Sequence, residues 1–304
     1  MSLITKHRPK KLGDVAGNKS TIRSLGTILE RPVEDIPHAF LFTGPPGSGK
    51  TTLARITAKT VGCSVQDIEE VDAAQYTGID NVREIKDRSG FRPIDGEAKC
   101  WILDECHRLS AQAQDGLLKI LEDAPAHVYF MLCTTEPKAV KATVKRRCTH
   151  FEMKALTHFE CISWMEKIVE GEGESVREDI LEQIAEQSGG LPGASLAELN
   201  KVLGLDADEM DEVMKENEEF EAKTIDLCRA LMKKESWKKV KGLLNSLDED
   251  PERIRRAVLG YCSKCMLGNG DAGQAFLVMD SFREPFWNSG RPGLVIACYE
   301  SLNA

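Results

Sequence analysis

The stretch Gly44-Pro45-Pro46-Gly47-Ser48-Gly49-Lys50-Thr51-Thr52 decides the reading of this chain. It follows the apolar run Ala39-Phe40-Leu41-Phe42, which reads as a buried strand, and precedes Leu53 to Lys59, which reads as a helix. Strand, glycine-rich turn, helix is the context in which G-x-x-x-x-G-K-T holds phosphates. Gly44, Gly47 and Gly49 let the backbone close around an anion where a Cβ would clash. The freed N–H groups and the positive helix end then face that anion. Lys50 reaches the β- and γ-phosphates, and the Thr51 hydroxyl ligates Mg2+. ATP and Mg2+ are therefore the expected ligands, held by residues 44–52.

Working outward, Cys100-Trp101-Ile102-Leu103 reads as a second buried strand that runs into Asp104-Glu105. The chemistry needs one carboxylate to orient hydrated Mg2+ and a second to polarise the attacking water. Asp104 is assigned to the metal and Glu105 to the water. An acidic strand end alone is common; after an intact phosphate loop about fifty residues earlier it becomes specific. His107 reads better as a helix-start histidine with a structural hydrogen bond than as a second water-positioning group.

The rest of the first half alternates. Residues 19–31 read as a helix with Ser20 or Thr21 near its N-cap, and Ile68 to Val71 as a short strand ending at Asp72. A helix begins at Gly78 with Ile79, Val82 and Ile85 on one face, and Gly90 to Pro93 breaks it. Ser110 caps a helix to about Glu122, and Val128 to Cys133 is an apolar strand before Thr134-Thr135. This predicts an α/β fold with a parallel, doubly wound sheet, its ligand-binding segments at the carboxyl ends of strands.

From about residue 153 the strand signals stop. Helical patterns follow at 157–170, 175–188 and 194–204. Asp206 to Glu221 is acidic and is expected to link two parts. Residues 221–302 give further amphipathic helices, broken at Asp248–Pro251, Gly268-Asn269-Gly270 and Gly290–Gly293. The expected division is an α/β domain at 1–152, a small helical lid at 153–206 and a helical domain at 207–304.

The net charge of −9 argues against a surface coated in non-specific DNA-binding charge, but not against a local basic patch. No run of apolar residues is long enough to span a bilayer, and Met1 to Lys11 lacks a signal-peptide core, so a cytoplasmic protein with no membrane partner is expected. The ten cysteines are scattered and read as reduced core residues. Cys262 and Cys265 form a lone CxxC without the second pair a structural zinc site needs.

Residues 104–148, DECHRLSAQAQDGLLKILEDAPAHVYFMLCTTEPKAVKATVKRRC, resemble the core of sliding-clamp loader ATPases of the AAA+ superfamily. The bacterial gamma/tau type resembles them most, and the small subunits of replication factor C are also similar. The resemblance runs from KHRPKKLGDVAGN through DAAQYTGIDNVREI to about residue 205 and is weaker beyond. It implies further roles. Thr134 falls at the sensor position on the γ-phosphate side. Arg147 matches an arginine that enters the neighbouring subunit's ATP site, which makes hydrolysis depend on assembly. Gln114 matches a glutamine that couples sites, and Arg8 and Val15 lie where the family encloses adenine. Primer–template DNA is contacted in this family by helix N-termini and nearby basic side chains, which here implies Thr77, Gly78, Ile79, Arg83, Lys86, Arg108 and Ser110. Phe91, at the tip of the break after Lys86, reads either as an aromatic offered to a clamp or as a core residue. The partners implied are other clamp-loader subunits, identical or different, in a five-membered assembly, and the sliding clamp. One departure matters: where the family carries a lid arginine this chain has Pro192, within Gly189-Gly190-Leu191-Pro192-Gly193. That leaves two alternatives beside an active loader. One is a delta-prime-like stator that binds nucleotide without hydrolysing it; the other is a different AAA+ DNA-remodelling ATPase.

Overall fold

Alternate residues of strand β1 (Ala39–Thr43) leave it on opposite faces: Phe40 and Phe42 enter one core, Ala39 and Leu41 the other. A strand buried on both faces needs helices on both sides, and the computed structural model supplies them. It describes residues 2–75, 77–268, 271–286 and 289–303; Met1, Tyr76, Asn269, Gly270, Trp287, Asn288, Ala304 and the side chains of 216–218 and 221 lie outside that set, and with them parts of the segments read above.

In chain order the elements are α1 (Leu3–Lys6), α2 (Lys19–Leu29), β1, α3 (Lys50–Thr60), β2 (Cys63–Asp72), α4 (Ile79–Ser89), β3 (Ala98–Asp104), α5 (Ala111–Glu122), β4 (Val128–Thr134), α6 (Ala142–Lys145) and β5 (Thr149–Glu152). Three helices follow, α7 (His158–Glu172), α8 (Glu178–Gln187) and α9 (Pro192–Val202). The sheet is parallel in the order β2-β3-β4-β1-β5. Leu25 of α2 and Leu53 of α3 pack on one face; Val82 and Ile85 of α4 and Leu117 of α5 pack on the other. The fold is the α/β one expected. Helix α2 is capped at Asn18, in left-handed backbone, rather than at Ser20 or Thr21. Strand β2 is longer than its apolar run because Cys63 pairs with Ala98 before a register shift brings Ile68 opposite Cys100.

The shifted segment is held by Asp67, which is buried. Burial pushes its carboxyl up, but the Ser64 hydroxyl and the N–H groups of Ile94, Gly96 and Asp95 outweigh that and hold it at about 2. A carboxyl depressed on folding stabilises the native state above the unfolded value near 4 and loses that contribution as pH falls towards 2. Urea titrations at pH 7 are therefore expected to put Asp67→Asn about 2 kcal/mol below wild type, the gap closing as pH falls from 4 to 2. A gap unchanged at pH 2 contradicts this.

The chain divides into two units, Met1–Leu205 and Asp206–Ala304. A further boundary after β5, where sheet gives way to helix, is our proposal. The second unit contains α10 (Ala207–Met232), α11 (Trp237–Ser246), α12 (Pro251–Leu267), α13 (Ala272–Ser281) and α14 (Gly290–Asn303). The acidic stretch expected to be a linker is instead the first half of α10. Asp206 and Glu209 form a capping box there, and acidic side chains suit a helix start. Phe220, Leu227, Cys228 and Leu231 then bury that helix in the second unit's core. No described helix is long and apolar enough to cross a membrane.

Candidate nucleotide site

The parallel register brings three strand ends together. Thr43 of β1 lies opposite Thr134 of β4, and Asp104 ends β3 beside Asp72. The turn leaving β1 lies tight against the strand end at Met153. A Cβ on Gly44, whose φ is +148°, would sit 2.2 Å from the Met153 carbonyl. The turn then feeds α3, whose N-terminal residue Lys50 is buried. Lys50 Nζ donates to the carbonyls of Gly44 at 3.0 Å and Pro45 at 2.9 Å. Burial lowers its pKa against the opposing pull of the Glu105 and Asp104 carboxylates. A buried ammonium whose hydrogen bonds go to backbone carbonyls suits an arriving anion. Ser48 in the same loop has a buried hydroxyl with no partner among the described residues, which marks the same place.

Thr51 Oγ1 donates to Asp104 Oδ2 at 2.8 Å, and the Glu105 N–H donates to Asp104 Oδ1 at 3.0 Å. A hydroxyl and a carboxylate side by side at the foot of a phosphate loop are hard oxygen donors of the kind Mg2+ takes, so the residues fit that ion. Glu105 stands in left-handed backbone at φ 47°, an uncommon conformation that costs energy and turns the side chain aside from the strand. Its Oε2 accepts from the Thr135 hydroxyl at 2.9 Å and lies 3.2 Å from His107 Nδ1. His107 Nδ1 also lies 3.0 Å from the Thr134 hydroxyl, so the histidine ties β4 to Glu105. Thr135 was not among the residues read from sequence.

A cavity of about 340 Å3 joins these groups to the N-terminal segment and to α7 and α9. It is lined by Pro46 to Thr52, Asp104 and Glu105, and by Arg8 and Val15, as read from sequence. It is also lined by Ile4, His7, Trp164, Pro192, Gly193 and Leu196. Trp164 and Leu196 were missed because each falls on an apolar helical stripe, which reads as core. Thr134 is fully buried and does not line the cavity, nor do Gly44 and Pro45, which act through Lys50. Helix α9 starts at Pro192 and touches the loop directly: the Gly193 N–H donates to the Gly47 carbonyl at 3.1 Å. A Cβ on Gly193 would come within 3.3 Å of Gly47 Cα.

Other residues lie elsewhere. Arg147 follows α6 and donates to the Glu122 carboxylate and, at 3.0 Å, to the Thr143 carbonyl. Gln114 is a buried bridge, donating to Leu109 O at 3.1 Å and accepting from Lys141 N at 2.8 Å. The N-termini of α4 and α5 meet where the Ser110 N–H donates to Thr77 O at 3.0 Å, and Ser110 Oγ caps α5. Gly78 and Ile79 begin α4 at that junction. Arg108 is exposed two residues before Ser110, Lys86 is exposed in the last turn of α4, and Arg83 is paired with Asp80 at 2.7 Å. Phe91 is exposed after α4.

Sheet order, phosphate loop and acidic strand end together define an AAA+ P-loop NTPase fold. Solved structures of the same shape include the Thermotoga maritima RuvB Holliday junction branch migration motor, at 23% identity and a TM-score of 0.58 over 69% of this chain and 72% of that one. Family models for the Rad17 P-loop domain and the DNA polymerase III delta subunit match residues 2–96 and 64–157. Within the AAA+ class the chain is a relative of the gamma/tau subunits of bacterial DNA polymerase III. It is 35% identical to DNA polymerase III subunit tau of Bacillus subtilis, over 68% of this chain and 40% of that protein. It is 31% identical to subunit gamma/tau of Mycobacterium tuberculosis over the same shares, and 30% identical to subunit gamma of Buchnera aphidicola over 62% of this chain and 57% of that one. The chain thus spans about two fifths to three fifths of the length of these relatives.

Proposed function

We propose that this chain is an ATPase subunit of a clamp loader, which uses ATP binding and hydrolysis to open a sliding clamp and place it on primer–template DNA. The observation that carries the reading is the phosphate loop facing Asp104 and Glu105 across one cavity, in a chain related to gamma/tau subunits. Lys50 and the loop N–H groups bind the phosphates, and the Thr51 and Asp104 oxygens hold Mg2+, which when bound neutralises phosphate charge. Glu105 orients the attacking water. Thr134, through its contact with His107, sets the position of that group. The joined N-termini of α4 and α5, with Lys86, Arg108 and Arg83, form the surface offered to DNA phosphates. Phe91 is offered to the clamp. A cytoplasmic setting and assembly with further subunits, five in all, are part of this reading.

Arg147 acts across a subunit interface in this account, after leaving Glu122. Lys50→Ala and Arg147→Ala chains should each be inactive alone. Mixed in equal amounts they should regain part of the wild-type turnover, because some interfaces then pair an intact loop with an intact arginine. A mixture as silent as its components speaks against an arginine supplied in trans.

A further inference from the structure

We propose that α7–α9 grip the nucleoside and not the terminal phosphate, with Trp164 stacking on the base, so that these helices close on ATP and ADP alike. The inference rests on the nucleotide reading above and adds to it what the helical part senses. These helices bring Trp164, Pro192, Gly193 and Leu196 to the cavity. None of the four is cationic. Lys201, at the far end of α9, is paired with Glu198 at 2.7 Å and does not line the cavity. The N–H of Gly193, at the start of α9, is already given to the Gly47 carbonyl. With neither a cation nor that N–H to offer, the helical side has little with which to tell three phosphates from two.

What it does offer is an aromatic face. The Trp164 ring is half-buried and lines the cavity, and among the described residues it has no aromatic or cationic partner. The contrast is with Trp101, covered by Arg88 and Lys99, and with Trp237, edge-on to Tyr299. The wall contributed by the N-terminal segment belongs with these helices. Helix α1 packs on α9, Lys6 is ion-paired with Glu172 at the end of α7, and His7 Nε2 hydrogen-bonds the same carboxylate. Ile4 and Trp164 are therefore parts of one jaw that the base fills.

The test is the tryptophan emission of the full chain, taken as wild type minus Trp164→Phe, during titration with ATP, ADP and inorganic tripolyphosphate, with affinities from calorimetry. ATP and ADP should change the Trp164 signal to the same extent, and tripolyphosphate should not change it. Trp164→Ala should weaken ATP and ADP by the same factor, on the order of tenfold, and leave tripolyphosphate unaffected. Trp164→Phe, which keeps a stacking ring, should bind within about threefold of wild type and controls for folding. A signal given by ATP but not ADP, or a Trp164→Ala chain that binds both as wild type does, overturns the inference. If both nucleotides bind wild type and bind Lys50→Ala more weakly, the nucleotide reading survives that result. If neither binds wild type, that reading has fallen first.

Discussion

Glu105→Gln should bind ATP as wild type does and hydrolyse it roughly 100- to 10,000-fold more slowly, the usual worth of a positioned general base. The substitution is isosteric. A glutamine oxygen still accepts from the Thr135 hydroxyl that now holds Glu105 at 2.9 Å, so the loop keeps its shape. What is lost is the negative charge that draws a proton from water. Affinity should hold because Glu105 does not contact the loop amides; its own N–H bonds Asp104. Single-turnover hydrolysis beside equilibrium binding separates the two quantities. Equal losses in both would move Glu105 from chemistry to binding. Replacing His107 or Thr135 should give smaller, partial losses, since they orient the carboxylate.

The second large effect is on binding. Lys50→Ala should weaken ATP by on the order of 10- to 100-fold, since a hydrogen bond to a charged group contributes about 1.5–3 kcal/mol. Folding should be little affected, because Lys50 bonds two carbonyls at the loop's edge, which water can serve once the side chain is gone. The depressed basicity of Lys50 also has a consequence. Burial lowers its pKa, and phosphates arriving beside it restore the charged form, so ATP binding should take up protons at alkaline pH. Calorimetry in buffers of different ionisation enthalpy reads that uptake, and Lys50→Ala should abolish it. ATP bound equally well by Lys50→Ala would remove the loop from the site.

The grouping of residues around the glycine-rich loop was legible because its spacing is enforced by backbone geometry. Lys50, Thr51, Asp104 and Glu105 each sit at a fixed step from a strand end, and strand ends in a parallel sheet converge. The other side was harder to read. Trp164 lies three residues after Cys161, on the stripe that Met165 and Ile168 bury, so its helix looks like any amphipathic helix. That it reaches the cavity depends on where α7 packs, which local periodicity does not encode. The acidic stretch after Asp206 was misread for a different reason. Charge density suggested a linker, whereas the Asp206–Glu209 capping box was the informative signal. The resemblance supplied Arg147 and Gln114. In this chain both are engaged in contacts of their own, with Glu122 and with the loop at Ala139–Lys141.

The most direct measurement is steady-state ATP hydrolysis by the full chain alone, with primer–template DNA, and with DNA plus a sliding clamp. Turnover should be low alone and rise with each addition, and Glu105→Gln and Arg147→Ala should lose it under all three conditions. A chain that binds ATP yet remains silent throughout contradicts the loader-ATPase account, and the missing lid cation at Pro192 would then mark a stator.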